Sequence, residues 1–209
     1  MFQGAIRFFH DGGPVMYPLL LCSLAALTVV IERGIFHLRR ARLRERAVLL
    51  EVLNLIRRGE RGAAREKARA SRDDLLRAVG MCLEEGEGNG RGILEMAYAE
   101  EERRSGRFMS VLDTIITLAP LLGILGTVLG IIDAFDLLGS AGARDPLAVT
   151  GGIARALITT ATGLSIAIIT LIPYNFYRAR REAALNEIEE VATFLETYAA
   201  PGRRPGEAE

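Results

Sequence analysis

The sequence predicts an all-α integral membrane protein with three transmembrane helices and long cytoplasmic helical extensions. Three observations carry that class. Half of the 209 residues are hydrophobic, and they gather in three blocks. Between the nearest charges, the uncharged runs are Gly12–Ile31, Thr114–Ile132 and Ala156–Tyr177, of 20, 19 and 22 residues; about 20 apolar residues cross the roughly 30 Å hydrocarbon layer as a helix. No stretch alternates convincingly with period two, so no strand is expected.

Charge sets the orientation. Arg33–Arg107 holds 18 basic and 13 acidic residues, and "HLRRARLRER" directly follows the first run. Arg103, Arg104 and Arg107 precede the second run, and Arg178, Arg180 and Arg181 follow the third. Arg144 is the one cation between spans two and three, beside Asp136 and Asp145. Cytoplasmic flanks carry the excess of arginine and lysine, which places the N-terminus outside and the C-terminus in the cytoplasm. The expected organisation is an external segment at 1–14, transmembrane helix 1 at 15–33 and a cytoplasmic helical region at 34–107. Transmembrane helix 2 follows at 108–135, a short external loop at 136–152, transmembrane helix 3 at 153–177, and a cytoplasmic C-terminal helix and tail at 178–209.

Within the cytoplasmic region, Val48, Val52, Leu55 and Ile56 recur at helical spacing. A second helix is expected from Gly62 to Glu85. "EEGEGNGRG" (Glu84–Gly92) reads as the clearest turn, because glycine and asparagine tolerate positive φ. From Ile93 the charged helical pattern leads straight into span two, so one uninterrupted helix is expected there. After span three, Leu185, Ile188, Val191, Leu195 and Tyr198 form one amphipathic stripe. "PGRRPGEAE" reads as a disordered tail.

Several function classes lack a signal. A cleaved signal peptide would carry its cations before the apolar run, whereas here they cluster after it. Cys22 lies in a span and Cys82 in the cytoplasmic region, so a disulfide framework is not expected. Acids interleave with the arginines, which gives mutually paired faces rather than a nucleic-acid surface. His10 and His37 are the only histidines and stand far apart, so no metal set forms. The phosphate-loop pattern ending in Gly-Lys is absent. No catalytic residue, cofactor or enzyme activity is expected.

The informative residues lie inside spans two and three. In "LAPLLGILGTVLGIIDAF", Gly126 and Gly130 are a small-xxx-small pair, extended by Gly123 and Ala119. Span three sets Ala156, Thr160, Gly163, Ala167 and Thr170 at three- and four-residue steps, hence along one face. Small residues let helix backbones approach closely where lipid supplies no hydrophobic drive for association. Membrane hydroxyls commonly bond a carbonyl one turn back. Several on one face could instead line a polar path, as Thr127 and Thr160 would. Asp113, Asp133 and Arg155 sit at span ends, where charges serve as interfacial anchors. No carboxylate lies deep in any span, so this chain alone lacks a titratable relay at mid-membrane.

These segments resemble the ExbB/TolQ/MotA proton-channel family, and most of all its ExbB/TolQ branch. "GGPVMYPLLLCSLAALTVVIER" resembles the family's first helix with its closing Glu-Arg pair; "LAPLLGILGTVLGIIDAF" resembles the second, and "GGIARALITTATGLSIAI…YN" the third. The resemblance implies a homo-oligomeric ring, understood as a pentamer, in the bacterial inner membrane. The ring would enclose the single helices of an ExbD/TolR-like partner whose aspartate carries protons, and the motor would energise a TonB- or TolA-like protein. It also implies that Thr127 and Thr160 face that aspartate, and that Tyr174 and Asn175 fix packing or depth. Gly123, Gly126, Gly130, Gly163 and Ala167 remain helix-packing residues. Two departures stand out. Arg155 occupies a position where several family members have glutamate, and a guanidinium does not deprotonate; it is expected at an interface salt bridge. Ile169 replaces a proline of many relatives, and Pro173 stands nearer the cytoplasmic end, where any kink is expected.

Overall fold

A computed structural model describes residues 9–85, 87–141 and 146–198, and among them every regular element is an α-helix. The expected external segment lies outside these residues up to residue 8, as do 142–145 of the expected loop and the tail from 199. The helices are α1 (Met16–Leu43), α2 (Arg46–Arg57), α3 (Arg61–Ala70), α4 (Asp74–Glu85), α5 (Glu87–Gly106), α6 (Met109–Ala141) and α7 (Pro146–Tyr198). Three stretches are long and apolar enough to cross a membrane: Met16–Leu43, Gly90–Asp136 and Thr150–Tyr198. Only 22–28% of the residues in their apolar windows are buried within the chain. Most of that apolar surface therefore has to meet lipid or other polypeptide, as in a multi-pass membrane protein.

Contacts divide the chain into two units. One combines the residues up to Gly34 with Phe108–Phe176; the other combines Ile35–Arg107 with the residues from Tyr177.

The second unit has its own hydrophobic core. Leu49, Val52 and Ile56 of α2, Ala64 and Ala68 of α3, and Leu75, Leu76, Val79 and Cys82 of α4 meet Leu94 of α5 and Ile188, Val191 and Leu195 of α7. The stripe expected on α7 is buried at Leu185, Ile188, Val191 and Leu195, while Tyr198 is 41% exposed. Helix α2 stops at Gly59, whose φ of 80° suits a residue without a Cβ. The Gly59 amide bonds Ile56 O at 3.0 Å and the Glu60 amide bonds Leu55 O at 3.0 Å, which satisfies two terminal carbonyls. The break between α1 and α2 is tied to the turn before α4. There the Glu45 amide donates to Asp73 Oδ2 (3.2 Å) and the Ser71 hydroxyl to Glu45 Oε2 (2.7 Å). Asp73 also accepts the Leu75 amide at 3.0 Å, capping α4.

Three local expectations change. The helix expected over Gly62–Glu85 is two helices, interrupted at Ser71–Asp73 by this side-chain network. The turn expected over Glu84–Gly92 does not extend over 87–92, where α5 already runs from Glu87; residue 86 lies outside the described residues. Gly90 is helical and packs on α4, with Cys82 Sγ donating to Gly90 O at 3.1 Å; that glycine serves close approach rather than a turn. The helix expected to run unbroken into span two is interrupted at Arg107 and Phe108, where Phe108 has a φ of 60°. Neither residue is a helix breaker by type; the one sign in the sequence is Gly106, the last residue of α5.

Ion pairs bridge the helices of the second unit. Arg40 Nη1 lies 2.5 Å from Glu101 Oε2, Arg181 Nη2 lies 3.0 Å from Glu102 Oε1, and Arg44 pairs with Glu187. Burial pushes the Glu101 carboxyl above its usual range, against the pull of Arg40. A proton is thus held more tightly in the fold than in the unfolded chain. This contribution is fully present below the ordinary carboxylate range and is lost as pH rises through the raised value. The buried pair therefore adds little net stability, but breaking it is costly. Glu101→Ala should lower stability by about 3–5 kcal/mol by leaving Arg40 without its carboxylate, whereas Arg40→Met with Glu101→Leu should stay near wild type. Denaturation of the detergent-solubilised protein checks this; equal losses in the single and double variants would contradict it.

Candidate functional site

Helices α6 and α7 of the first unit meet along matched rows of small residues. On α6 the buried row is Ala119, Gly123, Gly126, Gly130 and Ala134; on α7 it is Gly152, Ala156, Thr159, Gly163, Ala167 and Thr170. Both rows follow steps of three and four, so each is one face of a helix. The contacts run antiparallel. A Cβ at Gly130 would lie 3.0 Å from Gly152 O and 3.1 Å from Ala156 Cβ. One at Gly123 would lie 3.0 Å from Thr160 Cα and 3.1 Å from Thr159 O, and one at Gly163 would overlap Ala119 O. The helices touch backbone to backbone, and only glycine permits that at these crossings.

The expected α7 face differs from the observed one at one position. Steps of three and four from Ala156 admit Thr159 or Thr160. Thr159 is the buried residue, 1% exposed, with its side chain against Gly126. Thr160 sits beside the seam, half-buried.

Hydroxyl bonding sets Thr160 apart. The hydroxyls of Thr114, Thr117, Thr127, Thr162, Ser165 and Thr170 each donate to a carbonyl three or four residues back in their own helix. Thr159 does the same, to Ala156 O at 2.9 Å. The Thr160 hydroxyl instead crosses to Gly123 O on α6, at 2.9 Å. In an α-helix the same Gly123 carbonyl accepts the amide of Thr127, four residues on. The Thr127 hydroxyl stays on its own helix, at Ile124 O.

Arg155 closes the end of this hairpin. Its Nη1 lies 3.8 Å from Asp133 Oδ2, and its Nε donates to Asp11 O at 3.3 Å. Gly13, with a φ of 73°, lies under the side chain; a Cβ there would come 3.0 Å from Arg155 Cδ. At the other end of the first span, Arg33 is only 2% exposed. It forks onto Glu32, with Nε to Oε2 at 2.6 Å and Nη2 to Oε1 at 2.7 Å. Sequence reasoning used this pair only as part of a motif and missed the burial of the arginine. Adjacent helix positions do not face each other, so spacing gives no warning of the contact. Among the described residues, no group of histidines, cysteines or carboxylates could hold a metal. Cys82, the buried thiol of the second unit, has its pKa raised to about 11 by burial, which keeps it protonated and unreactive near neutrality.

Residues 68–190, which include the whole seam, match the MotA/TolQ/ExbB proton channel family. The chain belongs to that family. Among the family's members, an ExbB-like biopolymer transport protein of Synechocystis is 38% identical over 173 residues, covering 80% of this chain and 82% of the relative. A second ExbB-like protein from the same organism is 35% identical over 195 residues, covering 90% and 76%. A biopolymer transport protein ExbB of Xanthomonas campestris is 33% identical over 111 residues, covering 53% and 44%. The family match begins in α3 and so leaves out α1, while it contains Thr127, Thr160 and every seam residue.

The seam geometry makes a direct prediction. Gly163→Ala places a methyl on the Ala119 carbonyl and should destabilise by about 1–3 kcal/mol, as overpacking does. Gly151→Ala, one position outside the row with nothing within 4 Å, should be neutral or slightly stabilising. Thermal unfolding in detergent separates them; equal midpoints would contradict the close contact.

Proposed function

We propose that this chain is the ring-forming subunit of a proton-motive-force-driven inner-membrane motor of the ExbB type. With an ExbD/TolR-like single-span partner it energises TonB-dependent transport across the outer membrane. The N-terminus is periplasmic and the C-terminus cytoplasmic, a placement supported by the arginine flanks. The observation that carries the reading is the Thr160 hydroxyl bond to Gly123 O, which crosses from α7 to α6 at 2.9 Å. It lies within spans whose uncharged runs hold no carboxylate, in a family of proton channels.

In this reading the titrating carboxylate comes from the partner. A threonine hydroxyl offers one donor and two acceptor sites. While Thr160 donates to Gly123 O, its lone pairs can accept a hydrogen bond from a protonated carboxyl. Once that carboxyl ionises, the hydroxyl turns to donate to it. Thr127, bonded to Ile124 O at 2.5 Å, works in the same way. The exposed leucines and isoleucines of α1, α6 and α7 supply lipid contacts and the homo-oligomeric interfaces of the ring, taken as a pentamer from the family resemblance. Arg155 relays no proton, because its guanidinium does not deprotonate; it holds the outer end of the hairpin.

The same seam would also suit a TolQ-type subunit for envelope maintenance, or a membrane scaffold that conducts nothing. Proton flux in proteoliposomes holding the chain and its partner separates a motor from a scaffold. Thr127→Val and Thr160→Val should each lower the flux roughly tenfold or more, since a hydrogen bond to a charged group is worth about 1.5–3 kcal/mol. Assembly should persist. Unchanged flux in the double variant would remove both threonines from the path.

A further inference from the structure

We infer that Thr159, keyed against Gly126, is the positioning residue that holds the Thr160 hydroxyl on Gly123 O. The inference rests on the reading of Thr160 as a proton-path residue and adds how the fold sets that residue in place.

Thr159 is 1% exposed, with its hydroxyl satisfied inside its own helix by Ala156 O at 2.9 Å and Arg155 O at 3.4 Å. The hydroxyl is therefore not needed across the interface, and the shape of the side chain is what reaches α6. A Cβ at Gly126 would come 2.6 Å from Thr159 Cβ and 3.0 Å from Thr159 Cγ2, and would overlap Oγ1. The Thr159 β-carbon is fixed by the backbone, so no side-chain rotation moves it out of the way, and β-branching puts two γ atoms around it with few χ1 choices. Thr159 thus fills the notch that Gly126 leaves.

Thr160 is the next residue, so any opening at Thr159 carries it away from α6. The crossing has no slack to absorb such a shift, because Gly123 already lies in backbone contact with both threonines. The Thr160–Gly123 bond is 2.9 Å long, and about 0.7 Å of separation takes it beyond hydrogen-bond range.

The test exchanges the sizes across the notch. Gly126→Ala inserts a methyl against Thr159; Thr159→Gly removes the side chain that fills the notch; the two together restore one small and one larger partner in reversed positions. Proton flux is measured with the carboxylate-bearing partner in proteoliposomes, for each variant in the native background and again with Thr160→Val. Thermal unfolding and oligomer size report on folding. The inference expects Gly126→Ala to cut flux about as far as Thr160→Val does, the exchanged pair to recover most of it, and Gly126→Ala to add nothing once Thr160 is valine. A Thr159→Val variant, which keeps the shape and loses the hydroxyl, should retain native flux.

Three results overturn the inference. One is a loss in Gly126→Ala that adds fully to that of Thr160→Val. Another is an exchanged pair that folds and assembles but recovers nothing. The third is a Thr159→Val variant as poor as Gly126→Ala. If Thr160→Val itself leaves flux unchanged, both the path reading and this inference fall, an outcome distinct from the other three.

Discussion

The backbone contact between α6 and α7 governs the first unit. Lipid is as apolar as leucine, so two helices in a membrane gain little from hiding hydrophobic side chains from it. They hold together through close packing, and that requires Gly123, Gly130, Gly152 and Gly163 at the crossings. The large apolar residues consequently point away from the seam. Leu121, Ile124, Val128, Ile168 and Ile172 are all at least half exposed. The surface available to lipid or to other subunits is a consequence of how the hairpin closes.

The hydroxyl pattern follows from the same contact. Along both helices, Thr159 and Thr170 of the seam included, the other hydroxyls turn back onto their own helices, which satisfies the donor where water is scarce. At Thr160 the neighbouring backbone is near enough to offer a better-placed carbonyl, and the bond crosses. A polar junction thereby forms inside an apolar hairpin without any charged group. It is uncharged, and in the proposed motor it waits for a carboxylate from another chain. The second unit is built on different terms, from an apolar core of alanines, leucines and valines with arginine–carboxylate pairs around it, as in a water-soluble helical protein.

Much of this was legible in the sequence, and the limits have physical causes. Three long uncharged runs specify spanning helices because the bilayer fixes their length. The small row of α6 was legible because Gly123, Gly126 and Gly130 mark it with residues that have no side chain. On α7 the row was legible only to within one residue: Thr159 and Thr160 both continue the face from Ala156, and the crossing with α6 decides between them. The junction at Arg107 and Phe108 carried only the weak signal of Gly106, because a phenylalanine at positive φ is imposed by its surroundings rather than by its own preference. The run Glu84–Gly92 misled in the opposite direction, since glycine permits close packing as readily as it permits a turn.

The central claim is that this chain forms a proton path only when another chain supplies the carboxylate. The most direct measurement compares proton flux through proteoliposomes containing this chain alone with flux after its single-span partner is added, under the same imposed gradient. The account predicts no flux above empty vesicles for the chain alone, and flux that appears with the partner and disappears when the partner's membrane carboxylate is changed to its amide. Gradient-driven flux through this chain alone would contradict it.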